Sequence, residues 1–299
     1  MTASFIIGCG DLGTRLAHHY LNEGGAVTGV TRTPEGLARL TAAGIPGIRR
    51  DLAVDDLDDL AFADARIFHC APPPASGVLD PHTRRLVAAF ERAGHPARIV
   101  YIGTTGVYGD CGGRWIDETH PVQPVAERSQ RRWDAEQRLR EWAQASGRDL
   151  VILRVAGIYG PGRLPIERIR AGTPMVRPEE SPYTNRIHVD DLVSVCVAAM
   201  ARGTPGAVYN VCDGHPSTMT QYFLDVAAAA GLPNPPLIGL DEAAGRLSSG
   251  MLSYLSESRR LDNRRLLDEL GVRLRYPTLA DGLRAILDEE AAVSTVSRV

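Results

Sequence analysis

A doubly wound α/β fold, with a parallel sheet and a smaller second domain, is what this 299-residue sequence predicts. Three observations predict it. Through the first half, short apolar runs alternate with stretches of helical period, as buried parallel strands and their crossover helices do. A glycine-rich string, Gly8-Cys9-Gly10-Asp11-Leu12-Gly13, stands between the first apolar run and the first helical one. After Asp213 the alternation gives way to helical pieces and proline-rich loops.

In chain order the expected strands are Phe5 to Ile7, Val27 to Thr31, Ile67 to His69, Ile99 to Ile102, Leu150 to Arg154 and Val208 to Val211. Helices are expected to begin near Leu12, Pro34, Thr83 and Glu127. The first places Leu12, Leu16, Tyr20 and Leu21 at core spacing and stops at Gly24. The stretch from Pro161 to Ser181, rich in Pro, Gly and Arg, breaks the pattern. Residues 1–160, completed by 184–212, therefore read as the main domain, and 161–183 with 213–299 as the smaller one, with a frayed end expected after Glu290.

Composition removes whole classes of chemistry. All 33 basic residues are arginine, which excludes lysine Schiff bases, pyridoxal phosphate and the phosphate-loop lysine. A net charge of −3 with 23% charged residues gives no basic excess for nucleic acid. The five cysteines (Cys9, Cys70, Cys111, Cys196, Cys212) are an odd set without a Cys-x-x-Cys pair, so free thiols and a cytoplasmic setting are expected. The histidines show no zinc spacing, Gly-x-Ser-x-Gly is absent, and no apolar stretch approaches the ~18 residues of a membrane span.

The glycine string carries specific physics. Between a strand and a helix, Gly8, Gly10 and Gly13 let the backbone turn tightly and approach a pyrophosphate, with the N–H groups at Asp11 and Leu12 facing it. At the end of the second strand an acidic residue would hold a ribose 2′-hydroxyl, but the chain reads Thr31-Arg32-Thr33. Arginine and two hydroxyls there favour NADP over NAD. A guanidinium ~4 Å from a phosphate is attracted by about 4 kcal/mol per unit charge at an effective dielectric near 20. Arg32 as a solvated loop residue is the alternative.

Further motifs follow in order: Tyr101-Ile102-Gly103-Thr104-Thr105-Gly106-Val107-Tyr108-Gly109, Asp117-Glu118-Thr119, Arg154-Val155-Ala156-Gly157-Ile158-Tyr159-Gly160-Pro161, Asn185-Arg186-Ile187-His188-Val189-Asp190-Asp191-Leu192 and Val208-Tyr209-Asn210-Val211. In this order and spacing the chain resembles the extended branch of the short-chain dehydrogenase/reductase superfamily, the NAD-dependent epimerase/dehydratase type. The resemblance runs from Gly8 to Pro277. It implies a Rossmann-type domain carrying NAD(P), and a small carboxyl-terminal substrate domain closing over a nucleotide sugar or another small carbonyl compound. It also implies a homodimer through the helices near Thr83 and Glu127. By position Asp51 would meet the adenine, Ala71 and Pro72-Pro73 would line the pyrophosphate and ribose, and Thr104 would hydrogen-bond the substrate oxygen. Each has a plainer alternative: Asp51 as a helix cap, the prolines as a rigid turn, Thr104 tied to backbone.

The family's proton donor stands in a Tyr-x-x-x-Lys helix, and here the pattern departs. With Glu136 setting the register, Arg128 takes the tyrosine position and Arg132 the lysine position. Arginine holds its proton above about pH 12 and is no general acid or base near neutrality. Losing such a group costs ~10²- to 10⁴-fold in rate. Arg132 would still reach the nicotinamide ribose and Arg128 an anionic substrate, unless both are solvated arginines on an exposed helix face. The departure resembles the atypical branch of the superfamily, in which an aspartate stands for an asparagine. Asp80 matches it approximately, or caps the helix that begins at Pro81. Tyr108, Tyr159, Tyr183 and His188 are the remaining candidates for supplying a proton. The reading is thus an NADP-dependent reductase, epimerase or dehydratase with a rebuilt relay, or a silent NADP-binding sensor or scaffold.

Overall fold

The computed structural model describes residues 2–296. Strands β1 (Ser4–Ile7), β2 (Val27–Thr31), β3 (Gly47–Arg49), β4 (Arg66–His69) and β5 (Arg98–Ile102) alternate with helices α1 (Asp11–Asn22), α2 (Pro34–Ala42) and α3 (Pro81–Ala93). The short strand β6 (Trp115–Ile116) and helix α4 (Glu127–Ser146) precede β7 (Asp149–Val155) and β8 (Gly157–Tyr159). Then come α5 (Ile166–Arg170), β9 (Met175–Val176), β10 (Tyr183–Thr184), β11 (Arg186–His188), α6 (Val189–Arg202) and β12 (Val208–Val211). The remainder holds β13 (Ser217–Thr218), α7 (Met219–Ala229), β14 (Leu237–Ile238), α8 (Leu240–Arg246), α9 (Ser249–Leu255), β15 (Arg260–Leu261), α10 (Arg264–Leu270) and α11 (Leu279–Val296).

Seven parallel strands form the central sheet in the order β12-β7-β5-β4-β1-β2-β3. Strand periodicity sends alternate residues to opposite faces. Phe5, Ile7, Ile67, Ile99 and Tyr101 join Leu86, Phe90, Leu139 and Trp142 of α3 and α4 in one core. Ile6, Phe68, Val100 and Ile102 join Leu16 of α1 and Leu192 and Val195 of α6 in the other. All six expected strands are present, each bound lying within a residue of its expected place. β3, only three residues long and preceded by proline, was not foreseen, and α6 had not been singled out as a helix.

Chain order reverses between β1 and β4, so the connections after these two strands leave towards opposite faces and open a crevice at the carboxyl ends. A third apolar cluster, built from Ile169, Met175, Met219, Tyr222, Phe223, Ile238 and Met251, lies among the elements outside the sheet. Backbone pairing ties these distant segments: β9 with β14, β10 with β13, and β6 with β15. The tail expected to fray is helical from Glu290 through Val296, and residues 297–299 lie outside the described ones. No helix among the described residues is long and apolar enough to cross a membrane.

Candidate functional site

A cleft of about 610 Å³ opens at the reversal point. Its floor is the turn from β1 into α1. Gly8 sits at φ +82°, where a side chain is strained and a Cβ would collide with the backbone of Ala71. Gly13 lets α1 approach β1, since a Cβ there would stand 2.9 Å from Ile6 Cγ2. At Gly10 a Cβ would meet nothing within 4 Å. No side chain caps this helix, so its first N–H groups are left to the cleft it opens onto. That arrangement fits a pyrophosphate: free donors, the positive dipole end and space for close approach.

Asp11 stands at this terminus, hydrogen-bonded to Arg163 at 2.8 Å and Arg15 at 3.1 Å. Burial alone would raise its carboxyl pKa, but the two guanidinium groups hold it below the usual value. Leu12 and Pro72 line the wall, and Ala71 is buried behind Gly8. Beyond the cleft, at the end of β2, Thr31 is buried, Arg32 is exposed, and Thr33 caps α2 by accepting from the Gly36 N–H at 3.1 Å. Arg49 and Arg50 of the neighbouring strand end beside Thr31, whose carbonyl accepts from Arg50 N–H. Asp51 does not cap a helix: it closes a turn, accepting from Ala53 N–H at 2.9 Å, because the chain after it runs in turns to β4.

Of the six candidate catalytic residues, the fold brings Thr104, Arg128 and Arg132 into the cleft and leaves Asp80, Tyr108 and His188 outside its lining. Thr104 Oγ1 accepts from Gly106 N–H at 3.2 Å, and its hydroxyl proton is free to donate. Arg128 and Arg132 share one face of α4, four residues apart. Arg132 donates to the carbonyls of Ala71 (3.3 Å) and Ile102 (3.2 Å), tying the ends of β4 and β5 together. Arg128 reaches across to α9, bonding the Ser253 hydroxyl, lying 4.2 Å from the Tyr254 ring centre and 3.6 Å from Glu257. Neither is a merely solvated arginine.

The other three serve the scaffold. Asp80 is buried and caps α3, accepting from the N–H groups of His82 (3.0 Å) and Thr83 (3.3 Å) and from the Thr83 hydroxyl (2.7 Å). Tyr108 donates to Asn210 Oδ1 at 2.8 Å beneath the Arg154 guanidinium, and burial pushes its pKa up to about 12. His188 accepts from Asp190 N–H at 3.2 Å at the start of α6 and packs 4.0 Å from the Tyr276 ring, and burial lowers its pKa. Tyr159 is also buried, while Tyr183 does line the cleft.

Several cleft residues escaped the sequence. Arg163, Arg186, Tyr254, Glu257 and Arg259 face the same space from segments about 150 to 250 residues away from the glycine turn. Arg186 lay inside a quoted motif, and the Glu257-Ser258-Arg259 segment carries no motif at all. Glu257 is buried and holds Arg259 at 3.0 Å. Among the described residues lining the cleft, five arginines face two carboxylates, Asp11 and Glu257. The site is therefore cationic in a chain of net charge −3, suited to an anionic ligand.

Asp213, next to β12, is 4% exposed, and burial pushes its pKa up to about 6 from the usual 3.8. A folded-state pKa above the unfolded one means stability that is complete below the unfolded value and lost as pH rises through the folded value. Asp213→Asn, which keeps the acceptor for His215 N–H, is therefore expected to match wild type near pH 4 and exceed it by about 2–3 kcal/mol above pH 7. Urea unfolding across that range checks it; equal stability at both ends would contradict it.

Comparisons with known proteins bear on the family and the fold. A model for "NAD dependent epimerase/dehydratase family" matches residues 5–212. Protein YeeZ of Escherichia coli K12 is 29% identical over 284 residues, covering 91% of this chain and 95% of that one. A conserved protein of unknown function from Silicibacter pomeroyi superposes with TM-score 0.81 at 32% identity, covering 97% and 99% of the two chains. MoeE5, solved in complex with UDP-glucose and NAD, superposes with TM-score 0.77 at 23% identity over 97% and 99% and shares the fold.

Proposed function

Because the chain belongs to the NAD-dependent epimerase/dehydratase family, we propose that it is an NADP-dependent reductase of a small polar carbonyl or sugar-like substrate. Gly8 to Gly13 would hold the pyrophosphate, Pro72 and Arg132 the nicotinamide ribose side, and Arg32, with Arg49 beside it, the 2′-phosphate. When bound, the reduced cofactor supplies hydride. The observation that carries the reading is Arg128 in the cleft at the place of the family tyrosine, lining the same space as the Thr104 hydroxyl. A guanidinium cannot give up its proton near neutrality, but it stabilises an oxyanion by charge and hydrogen bonding. Reduction tolerates that exchange: once the oxyanion is held by Arg128 and Thr104, solvent water supplies the proton. Run in reverse the same route loses the alcohol proton to solvent, so what favours a reductase is that a single hydride transfer suffices, whereas a dehydratase must also take a proton from carbon. The elements outside the sheet form the substrate domain in this reading.

A silent NADP sensor or scaffold is the second reading, favoured by the lack of a proton-exchanging side chain at both helix positions. Calorimetric titration with NADPH and NADH separates the possibilities. NADPH is expected to bind with micromolar affinity, and Arg32→Ala to weaken it about tenfold or more while leaving NADH unchanged. Binding of neither nucleotide overturns both readings; NADPH binding without oxidation across a carbonyl panel selects the sensor.

A further inference from the structure

Beside the cofactor cleft lies a second chamber of about 450 Å³, joined to it through Gly157, Ile158 and Arg186. Its walls are apolar: Leu164, Met219, Tyr222, Phe223 and Met251. No carboxylate lines it among the described residues. Three arginines do, in three different states. Arg163 is paired with Asp11 at 2.8 Å, Arg168 is exposed at the rim, and Arg186 has no carboxylate within ion-pair distance among the described residues.

Arg186 is half-buried and held in place. Its guanidinium stacks 4.2 Å from the Tyr222 ring centre and donates to the Asn185 carbonyl at 2.9 Å. It passes over Gly157, where a Cβ would stand 2.9 Å from Nη1. Burial depresses its pKa, yet arginine stays charged. A half-buried guanidinium with donors to spare, whose interacting carboxylate Asp213 lies beyond ion-pair distance, is suited to a ligand that brings its own anion. Because Arg186 stands at the junction of the two spaces, an anion bound there projects its remaining atoms one way into the apolar chamber and the other way towards Thr104 and Arg128.

We infer that the substrate is a carboxylate with an aromatic or branched aliphatic body, the carboxylate on Arg186 and the body against Tyr222, Phe223 and Met251. This rests on the reductase reading and narrows it. A nucleoside diphosphate is the poorer fit, because a base and ribose need several directed hydrogen bonds and this chamber presents mostly methyl groups, thioethers and ring faces.

The test is calorimetric titration of the protein, with and without NADP⁺, using 3-phenylpropanoate, its neutral amide and UDP-glucose. The acid is expected to bind saturably and its amide at least about tenfold more weakly. Arg186→Gln should weaken the acid about tenfold or more and Arg186→Lys less, both with NADPH affinity unchanged. Met251→Trp, filling the chamber, should exclude the acid and spare NADPH, which keeps the proposal testable if Arg186→Gln misfolds. Equal affinity for acid and amide, binding of UDP-glucose in preference to the acid, no saturable binding of the acid, or an Arg186→Gln variant that binds it normally would each overturn the inference. Loss of NADPH binding in the wild type is a separate result, which sinks the reductase reading while the acid titration without cofactor still reports on the chamber.

Discussion

Gly8→Ala is expected to abolish dinucleotide binding and to cost about 2–4 kcal/mol of stability, the sum of a left-handed backbone penalty and overpacking. Both causes are local to one atom. At φ +82° the added Cβ is strained, and it falls on the Ala71 backbone, which belongs to the neighbouring β4 loop and cannot rotate away. Relief requires β1 and β4 to separate where the crevice forms, so the pyrophosphate seat moves with them. Gly10→Ala is the matched control. Its Cβ meets nothing within 4 Å, so stability should stay within about 1 kcal/mol of wild type while the methyl enters the space a phosphate needs. Thermal unfolding should therefore show a drop of about 3–6 °C for Gly8→Ala alone, and NADPH titration should show binding abolished for Gly8→Ala and weakened for Gly10→Ala. A Gly8→Ala protein that melts and binds like wild type would mean that the turn does not hold β1 against β4 as described.

Glu136→Gln is expected to destabilise by about 3–5 kcal/mol, because it strips the buried Arg154 of its partner, and Arg154→Met by less, because Glu136 keeps Arg140 at 3.1 Å. Glu136 is 1% exposed and Arg154 3%, joined by two hydrogen bonds of 2.6 and 3.2 Å. Arg154 also lies 4.7 Å from the Tyr108 ring centre, so the pair connects α4, β7 and the turn that ends at Tyr108. The double variant Glu136→Leu/Arg154→Met should lose less than the sum of the singles, since no orphan charge remains. Urea denaturation of the three variants decides it; a single variant within about 1 kcal/mol of wild type would contradict the account. In the singles that remain folded, NADPH binding should weaken as well, because the same helix carries Arg132 into the cleft.

The two results concern different parts of one reading. The glycine turn was legible directly, because tight turns and backbone approach demand a residue without Cβ at set spacings. The buried ion pair was legible only in half: Glu136 served to set the register of α4, while nothing local announced that Arg154, eighteen residues on, would meet it. Register was nevertheless enough to place Arg128 and Arg132 on one helical face, and the fold does turn both into the cleft.

Local pattern decided what depends on local rules. Strand periodicity, glycine spacing and helix caps act over a few residues, so the parallel sheet, the glycine turn and the cap residue Asp80 could be read from the chain. Even β3 was missed only because three residues carry too little period to register. Side-chain destinations across the crevice are another matter. Tyr108 and His188 occupy strand-end positions that suggest the cleft, yet each turned into the core, Tyr108 onto Asn210 and His188 onto Asp190 N–H and the Tyr276 ring. Arg163, Arg186, Tyr254 and Glu257 converge on the site from segments with no common spacing. Their meeting is set by how β11 pairs with β8 and how α9 lies over α4, contacts between residues far apart in sequence. The chain by itself determined the glycine turn and the absence of the tyrosine and lysine; only tertiary packing decided that five arginines would surround the space above it, and that one of them, Arg186, would stand beyond ion-pair distance of a carboxylate among the described residues.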